Sequence, residues 1–368
     1  MELPGFSVRM VTYLTIVKGW WESPQAVERA AFRLAEAVDR ASETSGLRPD
    51  SVRLTLQSAP SLREAAGVAE DLGQIAEDSG VYVNAGLYSL ADSMAEAASL
   101  AREGVYFSLA MTDLTWREAE ALATLMNRVA EEDPVNATRL AVNLAGEPVE
   151  TPYYPLSSLS TPESMVAVGL TYPNRLAAAF RAGGLKGIAS AAAEAGIAAL
   201  SLAKGVAREL GARRVGVDLS VSPWMKESTL GLVELVAGVR LPEPGIAWGI
   251  RRVNEAVREA ALRLGGDVVG FNSVQLPVAE DLKLKARVSE GDTTARDLAR
   301  LAGVCLAGLD MAAVPYEPRR VAGLILEVGA YARAKGAPLG VRLIPLEDVE
   351  PGDRVALGRF GELPVMPV

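Results

Sequence analysis

Apolar and polar positions follow two rhythms along this chain. Short runs rich in β-branched and aromatic residues predict strands at 8–17, 52–57, 81–85, 105–111, 140–144, 165–170, 215–221, 268–274 and 339–344. Between them Ala, Leu and Glu recur at helical spacing, predicting helices over 24–43, 62–78, 92–102, 116–131, 188–210, 230–236, 250–264, 295–302 and 320–334. Ser61 with Glu64, Thr115 with Glu118 and Thr294 with Asp297 are spaced as capping boxes. In each, the side chain takes up a backbone N–H left free in the first turn. Several strand segments are almost continuously apolar, the pattern of a mainly parallel sheet shielded by helices. One stretch breaks both rhythms. Residues 148–162 hold four prolines and a Ser/Leu/Thr run, so they form a loop or crossover. It divides a first half, 1–147, from a second, 163–368, within one expected α/β domain. An eight-stranded βα barrel is the alternative architecture.

Composition narrows the chemistry. The 368 residues are 49% hydrophobic and 23% charged, enough apolar content for a large core and too much for disorder. The net charge of −9 argues against a nucleic-acid backbone or an anionic membrane surface as partner. One cysteine, Cys305, leaves no intramolecular disulfide and no CxxC motif. The chain has no histidine. That removes Ser-His-Asp and Cys-His pairs, His-liganded zinc and imidazole acid–base chemistry. Thirty arginines against seven lysines, with only eleven Asn and Gln, fit a heat-adapted protein, although GC-rich codons give the same arginine excess. No secretory apolar run precedes Arg9, and the Ala-rich stretch 187–207 is interrupted by Glu194 and Lys204. A soluble cytoplasmic protein is therefore expected.

Polar residues at strand ends are the first candidates for a ligand site, because side chains there escape the packed core. Gln57, Ser58, Asn84, Ser108, Asn143, Asp218, Ser220, Asn272, Ser273 and Gln275 all fall at or near such ends, and they include five of the eleven amides. Local turn capping is the competing account for each. Asp218, Glu280, Asp281 and Asp310 lie in or after apolar segments. Converging carboxylates would hold Mg²⁺ or Mn²⁺, or split their pKa values for acid–base work. The expected metal set is Asp218, Glu280 and Asp310, although Glu280-Asp281 also reads as a solvated helix start. The expected catalytic residues are Asp218 and Asp310. Asn84, Asn143, Ser220, Asn272, Ser273 and Gln275 are expected to orient a substrate, and Arg342 to pair with an anionic group. Cys305 sits among apolar residues, the setting of inert core packing. No GxGxxG or GxxxxGK[ST] motif occurs; Gly183-Gly184-Leu185-Lys186-Gly187 reads as an anion cradle or as a flexible helix entry. Trp20-Trp21 and Tyr153-Tyr154 suit a pocket mouth or a subunit contact.

Several blocks together resemble a known family. They are Val217-Asp218-Leu219-Ser220 with Pro223, the run from Phe271 through Pro277 to Glu280-Asp281, and Val304-Cys305 with Gly308-Leu309-Asp310 and Pro315. Val341-Arg342-Leu343-Ile344-Pro345, Val168-Gly169-Leu170 and the closing stretch from Gly361 to Met366 complete the order. The chain is similar to domain of unknown function 711, also called uncharacterised protein family 0210. The resemblance implies a ten-stranded α/β barrel like that of pyruvate formate-lyase and other glycyl-radical enzymes, with two half-barrels and outer helices. It also implies a link to amino-acid metabolism or its regulation, since an ACT-domain protein neighbours some bacterial members. Relatives often carry a Gly/Thr/His-rich loop where this chain has Glu243 to Trp248 without histidine. Glycyl-radical chemistry does not carry over: Arg354-Val355-Ala356-Leu357-Gly358 has one residue too many before the glycine, which moves Gly358 to the opposite strand face.

Two functional classes follow: an enzyme acting on a small polar or anionic metabolite, or a non-catalytic metabolite-binding or regulatory protein. Trp20-Trp21 and the apolar residues 363–366 lead to an expected homodimer, with folding back onto their own chain as the alternative.

Overall fold

The computed structural model describes residues 5–90, 94–305 and 308–368. In the first half the strands are β1 (Ser7–Thr15), β2 (Val52–Leu56), β3 (Val81–Ser89), β4 (Tyr106–Ala110) and β5 (Leu140–Asn143). In the second they are β6 (Met165–Thr171), β7 (Arg214–Asp218), β8 (Leu309–Pro315) and β9 (Gly340–Leu346), followed by a short hairpin of β10 (Arg354–Ala356) and β11 (Glu362–Pro364). The first nine form one sheet in the order β7-β6-β1-β2-β3-β4-β5-β9-β8. Strands β1 to β5 are parallel throughout. The pairs β6–β7 and β8–β9 are each parallel, and join the first five antiparallel through β1–β6 and β5–β9. The two halves thus run in opposite directions. The chain starts of β1 to β5 and the chain ends of β6 to β9 share one mouth of the sheet.

Residues 268–274, predicted as a strand, run beside β7 only through the isolated parallel bridges Val217–Val268 and Val221–Val274. Gly270 and Asn272 have positive φ (77° and 50°), which breaks the extended run. Strand β8 was not predicted. Its sequence Leu-Asp-Met-Ala-Ala-Val-Pro carries a single β-branched residue, and burial against its neighbours outweighs that weak propensity.

Helices α1 (Gln25–Ser45), α2 (Leu62–Ala66), α3 (Ala69–Ser79), α4 (Met94–Arg102) and α5 (Trp116–Glu132) follow the strands of the first half. The second half adds α6 (Pro173–Leu210), α7 (Thr229–Ala237), α8 (Ile246–Leu264), α9 (Leu282–Ser289), α10 (Ala295–Leu301) and α11 (Pro318–Lys335). Each turns an apolar stripe to the core; in α1 it is Val27, Ala31, Leu34, Val38 and Ala41, at the expected three- and four-residue steps. Thr115–Glu118 and Thr294–Asp297 close reciprocal capping boxes, and Ser61 accepts from the Glu64 N–H. The predicted helix 62–78 divides at Gly67-Val68. Helix α6 begins well before the predicted residue 188 and kinks at Gly183-Gly184, so the glycine run lies inside the helix. Among the described residues α6 alone is long and apolar enough to cross a membrane, and 56% of its most apolar window is buried against the rest of the protein.

The crossover lies against one face of the sheet. Asn84 Nδ2 donates to the Pro155 carbonyl at 2.8 Å and Thr12 Oγ1 to that of Pro152 at 2.9 Å. Thr55 Oγ1 meets Ser157 Oγ at 2.8 Å, and Thr151 Oγ1 donates to Asp218 at 3.1 Å. Met10, Val149, Tyr153 and Phe271 form a small apolar cluster there, apart from the main core between sheet and helices. Gly169 makes room for it, since a Cβ at that position would collide with Met10 Sδ.

Of the residues that suggested a dimer, Trp20 and the apolar residues 363–366 fold back onto their own chain. Trp20 is wholly enclosed with its indole N–H on the Gln57 carbonyl. Leu363, Val365 and Met366 are buried, and the Met366 N–H donates to Ala313 of β8 at 2.8 Å. Trp21, beside Trp20, is only part-buried and packs edge-on against it, with ring centroids 5.9 Å apart.

Candidate functional site

The same face also holds a cavity of about 60 Å³, lined by the crossover and by strands of both halves. Its walls include Arg9 from β1, Arg53 from β2, Tyr106 from β4, Asp310 from β8 and Arg342 from β9. Tyr153, Tyr154, Pro155 and Leu156 close the inner end, and Phe271, Gln275 and Glu280 a side. Arg359 and Phe360, on the turn of the β10–β11 hairpin, stand at the outer end.

Two ion pairs face each other here. Arg9 donates to Glu280 Oε2 at 2.6 Å and to the Pro223 carbonyl at 2.6 Å. Arg342 holds Asp310 through two parallel bonds, Nε to Oδ1 at 2.6 Å and Nη2 to Oδ2 at 3.0 Å, and gives its third contact to the Thr138 carbonyl. That forked geometry gives a guanidinium–carboxylate pair its directionality. Burial raises the Asp310 pKa; the Arg342 charge opposes the rise and Glu280 adds to it. Arg342 is itself raised, the Asp310 carboxylate outweighing the opposing effect of burial.

Arg53 and Arg359 are differently placed. Neither forms an ion pair among the described residues. Arg53 donates to Ser51 Oγ at 3.2 Å, stacks 5.0 Å from the Tyr154 ring and reaches the Pro152 carbonyl only at 3.4 Å. Burial, with Arg9 and Arg359 repelling it, brings its pKa down to about 10, against a favourable effect of Tyr106. Arg359 is exposed, donates to Tyr82 Oη at 2.7 Å and packs against the rings of Tyr82, Trp224 and Phe360. Tyr153 is held as a neutral phenol, its pKa raised by burial and by Asp218.

The structure gathers some of the expected residues and separates others. Gln275, Glu280, Asp310 and Arg342 line the cavity. Asp218 lies apart, buried, and its two oxygens accept five hydrogen bonds, from Thr151 Oγ1, Ser220 N and Oγ, Phe271 N and Asn272 N. Burial still raises its pKa despite these donors. A Cβ at Gly270 would collide with Asp218 Oδ2, which explains the glycine at that bend. Ser220 and Asn272 serve the same clamp, Asn272 Oδ1 accepting from the Leu219 N–H at 2.9 Å. The Ser273 hydroxyl is buried next to them without a hydrogen-bond partner. Asn84 carries the crossover, and Asn143 caps the turn after β5 by accepting from Ala145 and Gly146.

The expected metal set does not assemble. Asp218 is consumed by the clamp, Glu280 by Arg9 and Asp310 by Arg342, and among the described residues no three carboxylates or cysteine converge. Asp281 caps α9 by accepting from Lys283 and Leu284. Arg342, expected to receive an anion, already pairs with Asp310 and spends a third N–H on the Thr138 carbonyl. Arg9, Arg53 and Arg359 escaped the sequence reading, because a lone arginine at a strand start or in a hairpin turn looks the same as a solvated one.

A family model described as "Uncharacterised ACR (DUF711)" matches residues 24–358. A UPF0210 protein of Pyrobaculum arsenaticum is 28% identical over 90% of this chain and 81% of its own length. One of Methanopyrus kandleri is 29% identical over 70% and 59%, and one of Lactiplantibacillus plantarum 32% over 41% and 35%.

Proposed function

Since the chain belongs to the DUF711 family, a grouping that specifies no reaction, the chemistry has to come from the cavity, and we propose that it binds a small anionic metabolite there and acts on it by acid–base catalysis. The observation that carries this is Arg53, a part-buried guanidinium on the cavity wall beside two other cations and with no ion pair among the described residues. Such a charge is costly to bury unless a ligand completes it. Arg53 takes the negative group, Tyr153 donates from its phenol, and Asp310 exchanges a proton. Its pKa, raised by burial and further by Glu280, suits it for that role.

One observation favours the non-catalytic reading: both cavity carboxylates already sit in ion pairs. A protein that only binds the anion would need nothing more. The architecture is part of the same proposal. Residues 268–274 act as a tenth strand between β7 and β8, closing a barrel similar to that of pyruvate formate-lyase. Supporting this, one cavity draws its walls from β1, β2, β4, β5, β8 and β9 and from residues 271–280, which an open flat sheet would keep apart.

Calorimetric titration with a panel of small carboxylates and inorganic phosphate tests the proposal. At least one should bind, and Arg53→Met should weaken it by about ten- to hundredfold, the range for a lost hydrogen bond to a charged group. An unchanged affinity in that variant overturns the site. For any ligand that binds, carbon-bound proton exchange in heavy water, present in the natural chain and absent in Asp310→Asn, separates an enzyme from a binding protein.

A further inference from the structure

Counting charge around the cavity sharpens the ligand's chemistry. Four guanidiniums, Arg9, Arg53, Arg342 and Arg359, face two carboxylates, Glu280 and Asp310. The other polar side chains on the wall, Thr138, Gln275 and the phenols of Tyr106, Tyr153 and Tyr154, carry no charge at neutral pH. The wall is therefore two positive charges out of balance, within a chain whose net charge is −9. The imbalance is also localised. The two matched pairs lock each other, and the surplus resides on Arg53 at the inner end and Arg359 at the mouth. Each is laid over a tyrosine ring, Arg53 at 5.0 Å from Tyr154 and Arg359 at 5.2 Å from Tyr82, and each keeps N–H groups beyond those bonded to Ser51, Pro152 and Tyr82.

Building on the anion-binding reading above, we infer that the ligand is a compact dianion, one negative group on Arg53 and the other on Arg359, so that Arg359 selects dianions over monoanions. The size of the cavity fits this. About 60 Å³ holds a few non-hydrogen atoms, so the two charges sit close together, as in a short dicarboxylate or a phosphate. Arg359 is well suited to such a role. It rides on a turn bounded by Gly358 and Gly361, both at positive φ, and the Phe360 carbonyl between them accepts from Lys285 Nζ. Its exposed side chain meets solvent before the ligand enters.

The probes are oxalate, malonate and inorganic phosphate against acetate, titrated calorimetrically at neutral pH into the whole chain. At least one dianion should bind ten- to a hundredfold more tightly than acetate, the range for one further charged hydrogen-bond partner. Arg359→Met should bring that ratio down toward one, and Arg359→Lys should restore part of it. The arms also separate the sources of charge, since a phosphate site ranks phosphate above both dicarboxylates. Acetate binding as tightly as every dianion, or a ratio unmoved in Arg359→Met, overturns the inference and leaves the anion site standing. Insensitivity of all four probes to Arg53→Met instead removes the site itself. Because Arg359 is exposed, its variants leave the core intact.

Discussion

At the scale of single residues, the charged groups of this protein divide into those that are finished and those that are waiting. Asp218 is finished: five donors converge on it from three segments of the chain. Asp218→Asn turns one acceptor into a donor facing those N–H groups, and should cost about 2–4 kcal/mol in urea unfolding. The pH dependence has a definite sign. Folding raises the Asp218 pKa, so between the ordinary carboxylate value and the raised one the folded state keeps a proton that the unfolded state has lost. Stability from this group is therefore greatest below that window and falls as pH rises through it. The variant should flatten that slope, and an unchanged slope would mean Asp218 does not titrate as described. The sequence made Asp218 conspicuous because a carboxylate inside an apolar run is rare. It made Arg53 invisible because thirty arginines are scattered along the chain, and only the fold reveals that this one stands among other cations on a cavity wall.

At the scale of elements, the reading from sequence was sound where periodicity was strong. Strands β1 to β7 and β9 and most helices lie within a few residues of their predicted positions. It missed β8, whose alanines carry no strand signal, and it read residues 268–274 as continuous where two positive-φ positions bend the chain and leave only isolated bridges. The crossover shows a deeper limit. Prolines and hydroxyls mark it as irregular, yet nothing in the pattern says that it lies against the sheet, since the partners of Thr12, Thr55 and Asn84 lie 71 to 140 residues away. Its seat is narrow. Gly169→Ala forces a methyl against Met10 and the Tyr153 ring, and should destabilise by about 1–3 kcal/mol, the usual range for overpacking. The same variant should weaken anion binding, because Tyr153 is a wall of the cavity; calorimetry alongside denaturation checks both.

At the scale of the whole molecule, the carboxy-terminal segment is a structural member. Leu363, Val365 and Met366 are buried, the Met366 N–H reaches β8, and the Pro367 carbonyl accepts from Ala295 at the start of α10. Three such side chains stabilise by roughly 1.5–3 kcal/mol each, a large share of the 5–15 kcal/mol that typically holds a fold together. Truncation after Gly361 should therefore lower the melting temperature sharply or leave the chain unfolded in a calorimetric scan, without reference to assembly state. The crossover has its own consequence for how the chain is made. While a ribosome has released only the first 147 residues, Thr12, Thr55 and Asn84 lie on a face whose partners do not yet exist. The five parallel strands emerge first, but their inner face stays wet until residues 151–157 follow, and the flanking strands must wait for the longer second half. A first half released alone would thus leave the groups of Thr12, Thr55 and Asn84 to water until the crossover arrives.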